Sequence, residues 1–314
     1  MKATPMKRVL PALILATAVP ATTSATASAQ ASPGGAIACT MCTGWNAPQP
    51  AFRIAADTWY VGVRGLSVIA VRTDDGVLLL DGALPQSVPL VEANLEAAGM
   101  ALSQVRWIVL SHEHFDHAGG IAELARHSGA SVYASAAGAA ALRQGLPSAS
   151  DPQAAFGERD NAFEPVPLVR EVADGEVLDL GGLALTAHYT PGHTEGATSW
   201  SWRQCEPAGE GVQDAGRCLD FVYADSLNAV SAPGYRFTPV AARFEASLDR
   251  LAGLPCDVVL STHPGSAGLL DKLAAREREP ARNPFVDADG CANYAAAARQ
   301  RLRLRLQQEV GQVD

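Results

Sequence analysis

The chain has no excess of positive charge. Its 24 Lys and Arg are outnumbered by 33 Asp and Glu, for a formal net charge of -9. A basic face for a nucleic-acid backbone is not expected, and the acidic excess serves solubility. No tandem repeat is evident, so solenoid and propeller architectures are set aside. Histidine is scarce, with seven in 314 residues, so any clustering of it carries information. What is present is ordinary for a globular protein, 48% hydrophobic and 18% charged, and long enough for a large core.

The N-terminus does not read as part of the fold. Lys2, Lys7 and Arg8 form a positive region before an apolar stretch, Val9 to Pro20. At about a dozen residues that stretch is too short to span a bilayer as a mature helix. Ala27-Ser28-Ala29 fits a small-residue cleavage site. This predicts a signal peptide over 1–29 and one domain over 30–314, exported to a periplasm or outside the cell and not inserted in the membrane after cleavage. The six cysteines agree with export. Cys205 and Cys218 flank a polar insert as two arms of a hairpin would. A bridge from Cys256 to Cys291 would tie the last helix to the core. Cys39 and Cys42 form a C-x-x-C with no second copy to complete a four-cysteine metal site. The connectivity stays open.

One stretch organises the rest: Ser111-His112-Glu113-His114-Phe115-Asp116-His117-Ala118-Gly119-Gly120. It follows the apolar, β-prone run Val105 to Leu110 and precedes a helical pattern from Ile121 to His127. It therefore reads as a loop leaving a strand end. Alternate residues of an extended loop project to one side, so His112 and His114 can share one metal ion, with Asp116 and His117 facing a second. Glu113 between them is expected to be solvated. Two further strand-end turns deliver single histidines, Thr190-Pro191-Gly192-His193 and Ser261-Thr262-His263. The compact partition puts His112, His114 and His193 on a first zinc and Asp116, His117 and His263 on a second. His127 and His188 are expected to be a surface and a packed residue. Ser111 and Ser261 adjoin ligands but lack the base-and-orienter arrangement of a serine hydrolase.

Around this constellation, Ser32 to Pro50 reads as a surface arm. Thr58 to Val63, Leu66 to Arg72 and Val77 to Asp81 read as an antiparallel meander whose Arg64-Gly65 turn reaches over a site. Gln86 to Ala98 and Ala136 to Arg143 read as helices, and 147–167 as a candidate lid. Strands then recur at Leu183 to Tyr189, Ala197 to Trp202, Leu219 to Ala224 and Asp257 to Leu260, with helices at Val240 to Leu251, Gly268 to Glu277 and Ala292 to Glu309. Strands followed by helices, twice over, predict an α+β fold: an αββα sandwich of two mixed sheets with helices on the outer faces.

The pattern His112-x-His114-x-Asp116-His117 with His193 and His263 is similar to the metallo-β-lactamase superfamily. Within it the chain resembles subclass B3. Ser226 follows Asp225 where subclass B1 places a cysteine ligand. Tyr223-Ala224-Asp225-Ser226-Leu227 and Ala232-Pro233-Gly234-Tyr235 resemble B3 segments, and Cys256 and Cys291 stand where B3 enzymes carry a disulfide. The resemblance implies the αββα fold, two Zn2+ ions and hydrolysis of a small-molecule β-lactam by a monomer. It also implies that Ser226 and Asn228 bind substrate, Ser226 by holding water near the second zinc and Asn228 by contacting the substrate carboxylate. Zinc would supply hydroxide at neutral pH for attack on the lactam carbonyl, with Asp116 and His114 as the catalytic residues. The rivals are a lactonase or a glyoxalase-II-like thioesterase of the same fold, in which an aspartate at the position of Asp225 would bridge both metals, and a non-catalytic zinc-binding homologue.

Overall fold

A computed structural model describes residues 1–2, 35–206 and 216–311. The chain divides into two units, Met1–Ala31 and Ser32–Asp314, and the fold below is that of the second. Apart from Met1 and Lys2, the predicted signal peptide at 1–29 lies outside the described residues.

Two sheets form the centre. The first joins β1 (Phe52–Ala55), β2 (Thr58–Tyr60), β3 (Ile69–Arg72), β4 (Val77–Leu80), β5 (Val105–Val109), β6 (Ser131–Ala134) and β7 (Val169–Glu171) in sequence order. Its pairs are antiparallel up to β4 and parallel from β4 to β7. The second joins β8 (Val177–Leu180), β9 (Leu183–Tyr189), β10 (Thr198–Cys205), β11 (Cys218–Ala224) and β12 (Val258–Ser261), in the order β12-β11-β10-β9-β8, with β11 and β12 parallel. The helices are α1 (Cys42–Trp45), α2 (Val88–Ala97), α3 (Phe115–Ala118), α4 (Ile121–Ser128), α5 (Ala136–Gln144), α6 (Glu158–Asn161), α7 (Ala241–Ala252), α8 (Leu269–Arg278) and α9 (Gly290–Val310).

The side-chain alternation of the strands explains the layers. On β4, Leu78 and Leu80 enter a core between the sheets, while Val77 and Leu79 pack outward under α2, α4 and α5. On β11, Phe221 and Tyr223 face that same inner core, while Val222 and Ala224 meet Phe244 and Leu248 of α7 and Ala295 and Leu302 of α9. Strands covered on both faces need no polar side, which is why β4 and β12 are buried throughout. The expected αββα sandwich is the observed one. The short strands β1, β7 and β8 have no run long enough to be read from sequence.

All six cysteines are bridged: Cys39–Cys42, Cys205–Cys218 across paired β10 and β11, and Cys256–Cys291 at the start of α9. The far end of α9 is held by Glu309, buried under the turn before α7. Its carboxylate accepts from the amides of Phe237 and Thr238 and from the Thr238 hydroxyl, at 2.7, 3.0 and 2.7 Å. Burial opposes the charge, but these donors and Arg305 outweigh it and hold Glu309 at about 2, below the ordinary 4.5. A lowered folded value stabilises the fold above the ordinary pKa, and that stabilisation is lost as pH falls through about 2. Glu309→Gln should therefore cost about 1–3 kcal/mol at pH 7. Urea unfolding midpoints of the two proteins should converge as pH drops from 4.5 toward 2; a constant gap would contradict this account.

Candidate metal centre

Segments that follow β5, β9 and β12 supply the six candidate ligands. β5 leads through Leu110 and Ser111 into His112, Glu113 and His114, the last of them extended, φ -79° and ψ 149°. Asp116 and His117 are not in that extended loop. They lie on α3, because the amides of His117 and Ala118 turn back onto the His114 carbonyl at 3.0 and 2.8 Å. Gly119 and Gly120 let this turn sit against the end of β4, since a Cβ at Gly120 would run into the Gly82 carbonyl. The turn after β9 brings His193, and the turn after β12 brings His263.

Six donors converge as two triads. His112, His114 and His193 offer ring nitrogens within 4.8 Å of one another, with His114 Nδ1 and His193 Nε2 at 3.1 Å. In the second triad Asp116 Oδ2 lies 3.3 Å from His117 Nε2 and 3.4 Å from His263 Nε2, and the two imidazole nitrogens are 3.3 Å apart. His112 also lies within 4.8 Å of Asp116 and His117, so it stands between the sets. A triangle with these edges is one face of a tetrahedron whose centre lies about 2.0 Å from each corner, the bond length of zinc to nitrogen or carboxylate oxygen. Imidazole lone pairs facing each other at such range repel unless a cation or a proton lies between them.

Each imidazole is fixed from behind. Asp225 Oδ1 is 2.8 Å from His112 Nδ1, close enough to attract but off the line of a hydrogen bond. Asp151 meets His114 Nε2 at 3.0 Å, and Asp81 lies 3.6 Å from His117 Nδ1. The carbonyls of Asn228 and Gly65 accept from His193 Nδ1 and His263 Nδ1 at 2.7 and 3.1 Å. Partners of this kind set which nitrogen is left to bind a metal. Asp81 is held in the left-handed region, φ 65°, by donors from the Ser111 amide, the Ser111 hydroxyl and the Tyr223 hydroxyl, each at 2.7 Å.

The charge balance points the same way. Asp81, Glu113, Asp116, Asp151 and Asp225 are all buried, while no Lys or Arg is buried among the described residues. Buried carboxylates without cations are strongly unfavourable. Without a metal the histidines divide. Burial and the neighbouring imidazoles push His112 well below its ordinary value. Burial works the same way on His193 and His263, helped by His114 and His117 respectively. For His114 and His117 burial is outweighed, by Asp151 in the first case and by Asp116 and Asp81 in the second, which raises His117 to about 10. The nitrogen His112 Nε2 is buried with no hydrogen-bond partner. This donor set, its geometry and the orphaned His112 nitrogen fit divalent metal.

Several readings change. Glu113 is not solvated. It is buried on the far side of the loop, accepting from Thr194 Oγ1 at 2.8 Å and Gly196 N at 3.1 Å; pointing away from the metals here means pointing into α5 and the β10 turn. Residues 35–50 are more than a surface arm, because Trp45 lies against the His263 ring, centroids 5.3 Å apart. The segment 147–167 is pinned rather than free, through Asp151 and through Pro152 O, which accepts from Ala232 N at 2.9 Å. Ser226 Oγ shares a 2.5 Å hydrogen bond with Thr262 Oγ1. Asn228 Oδ1 accepts from Arg301 at 3.2 Å. His127 pairs with Glu92 at the surface and His188 with Ser201, both apart from the centre. Asp81 and Asp151 were missed. The signal for Asp81 was an acid ending a wholly apolar strand; Asp151 had none. Asp151→Ala should weaken zinc affinity at the His112/His114/His193 triad by about 10–100-fold, read by competition with a chromogenic chelator. Unchanged affinity would show that the imidazole needs no such partner.

A family model described as the metallo-beta-lactamase superfamily matches residues 61–204. Among solved structures the chain is similar to the Rm3 metallo-beta-lactamase, at 42% identity and TM-score 0.80, covering 87% of this chain and 99% of that one. It is similar to MEM-A1, a subclass B3 metallo-beta-lactamase from a soil metagenome library, at 43% and 0.79, covering 85% and 99%. The metallo-beta-lactamase SMB-1 bound to 2-mercaptoethanesulfonate gives 41% and 0.78, covering 84% and 99%. A hydroxyacylglutathione hydrolase of Acidiphilium cryptum is 28% identical over 233 residues, 65% of this chain and 80% of that protein.

Proposed function

The chain belongs to the metallo-β-lactamase superfamily, most like its subclass B3, and is a hydrolase of that type; from that premise we infer that it is an exported, monomeric two-zinc enzyme that opens the β-lactam amide bond of penicillins, cephalosporins and carbapenems. The observation that carries this reading is the pair of donor triads, His112/His114/His193 and Asp116/His117/His263. Bound zinc supplies a Lewis acid and lets water ionise near pH 7.

The chain's own groups do the rest. Asp116 directs Oδ2 at His117 and His263, and nearby imidazoles hold it ionised despite its burial. Its other oxygen is then left to accept a hydrogen bond from the attacking water and set its direction. His114, locked by Asp151, keeps Nδ1 turned toward His193. Ser226 and Thr262 share one hydrogen bond between two hydroxyls, so one O–H remains to donate outward, either to water or to the substrate. Asn228 flanks His193 and can donate to the substrate carboxylate. The side chain of His263 is 30% exposed and those of His112, His114 and His117 at most 3%, so substrate enters on the His263 side.

Asp225 argues against thioester hydrolysis of the hydroxyacylglutathione type. It stands behind His112 on the Nδ1 side and joins neither donor triad, whereas a bridging aspartate would face both. Purified protein should hydrolyse a carbapenem and a penicillin catalytically and lose both activities in chelator. Stoichiometric loss of drug would mean a binder, and loss of neither drug in zinc-replete buffer would remove the assignment. His263→Ala should weaken the second zinc more than the first, which metal titration reads directly. Protein recovered from the periplasm or medium should begin near Gln30; an intact Met1 would argue against export.

A further inference from the structure

The last helix reaches the loop beside His193 through Arg301. Its Nε donates to Asn228 Oδ1 at 3.2 Å. A guanidinium can only donate. The amide of Asn228 must therefore present its carbonyl oxygen to α9, and its NH2 group is turned the other way. The backbone of Asn228 is fixed as well. Its carbonyl accepts from His193 Nδ1 at 2.7 Å, and its amide closes a tight turn onto the Ser226 carbonyl at 2.5 Å. Asn228 Nδ2 has no hydrogen-bond partner among the described residues, although the carbonyl of the same residue holds His193. Without Arg301 the amide could flip, and a carbonyl oxygen would then face the substrate in place of a donor.

A second arginine one turn on holds the rest of the same loop. Arg305 donates to Ser231 Oγ and to the Tyr235 carbonyl, both at 2.8 Å. The loop is thus clamped against α9 at two points, and only the Arg301 contact ends on a side chain beside a candidate ligand.

We propose that Arg301 is a positioning residue for substrate: by fixing the amide of Asn228 it makes position 228 a one-way hydrogen-bond donor for the carboxylate of a β-lactam. The proposal rests on the β-lactamase reading above. Arg301 acts through Asn228 and does not itself touch the reacting atoms.

The test is a double-mutant cycle on the zinc-loaded full domain with a penicillin as substrate, using Arg301→Ala, Asn228→Ala and both together. Arg301→Ala should raise KM about 10–150-fold with kcat within about twofold, the size expected for losing one hydrogen bond to a charged group. The double variant should be no worse than Asn228→Ala alone. Arg301→Gln, which keeps an N–H donor, should recover part of the loss. Zinc stoichiometry of Arg301→Ala, measured by titration, should equal that of the wild type. Wild-type KM in Arg301→Ala, additive losses in the cycle, or loss of a zinc from that variant each overturn the proposal while leaving the β-lactamase reading intact. A wild type that turns over no β-lactam overturns both.

Discussion

Carboxyl groups buried with no Lys or Arg beside them are the constraint on which the rest of this structure depends. Five carboxylates lie within the edge where the two sheets meet, and no buried Lys or Arg answers them among the described residues. In an interior of low dielectric such a group is tolerable only beside a cation. Protons on His114 and His117 are one answer. Divalent metal would be the stronger one, because it would also separate nitrogens that face each other at 3.1 and 3.3 Å.

The fold meets this constraint by bringing strand ends together rather than by any one motif. Asp81 comes from the end of β4, the first four donors from beyond β5, His193 from beyond β9, Asp225 from the end of β11 and His263 from beyond β12. The first sheet contributes mostly ligands and the second mostly the groups that complete and fix them. Trp200 Nε1, which donates to the Leu110 carbonyl at 3.0 Å, and Thr198 N, which donates to the Ser111 carbonyl at 2.8 Å, bind the two sheets just where the histidine stretch begins. The sandwich and the centre are therefore not separable features: sliding one sheet by a residue would move His193 and Asp225 away from His112.

This arrangement explains which parts were legible from sequence. The six donors stood out because four lie within six residues and the other two sit in Gly/Pro turns after apolar strands, where local pattern and chemistry coincide. The sandwich was legible because runs such as Leu78–Leu80 are apolar on both faces. The groups behind the imidazoles were not. Asp151 and Asn228 act from irregular loops, and Gly65 and Asn228 act through backbone carbonyls, which every residue has. Glu113 was misplaced because alternation tells which side a residue faces but not whether that side is solvent. Arg301 lies 73 residues from the asparagine it holds, on a helix whose neighbouring arginines make ordinary ion pairs with Glu245, Asp249 and Glu309. Nothing in its spacing sets it apart.

The two triads are not equivalent, and the difference lies behind the ligands. In the first, His114 is hydrogen-bonded to the Asp151 carboxylate at 3.0 Å, which makes an imidazole a more basic ligand, while His112 meets the Ser111 hydroxyl at 3.2 Å with Asp225 close by at 2.8 Å. In the second, the nearest carboxylate behind His117 is at 3.6 Å, and His263 has only a carbonyl behind it and an aromatic ring beside it. Anionic character there comes from Asp116 within the triad. The first position is thus closed and electron-rich, while the second is half-open on the His263 side. A centre built this way is enclosed around its first triad and open to an incoming group on the side of His263.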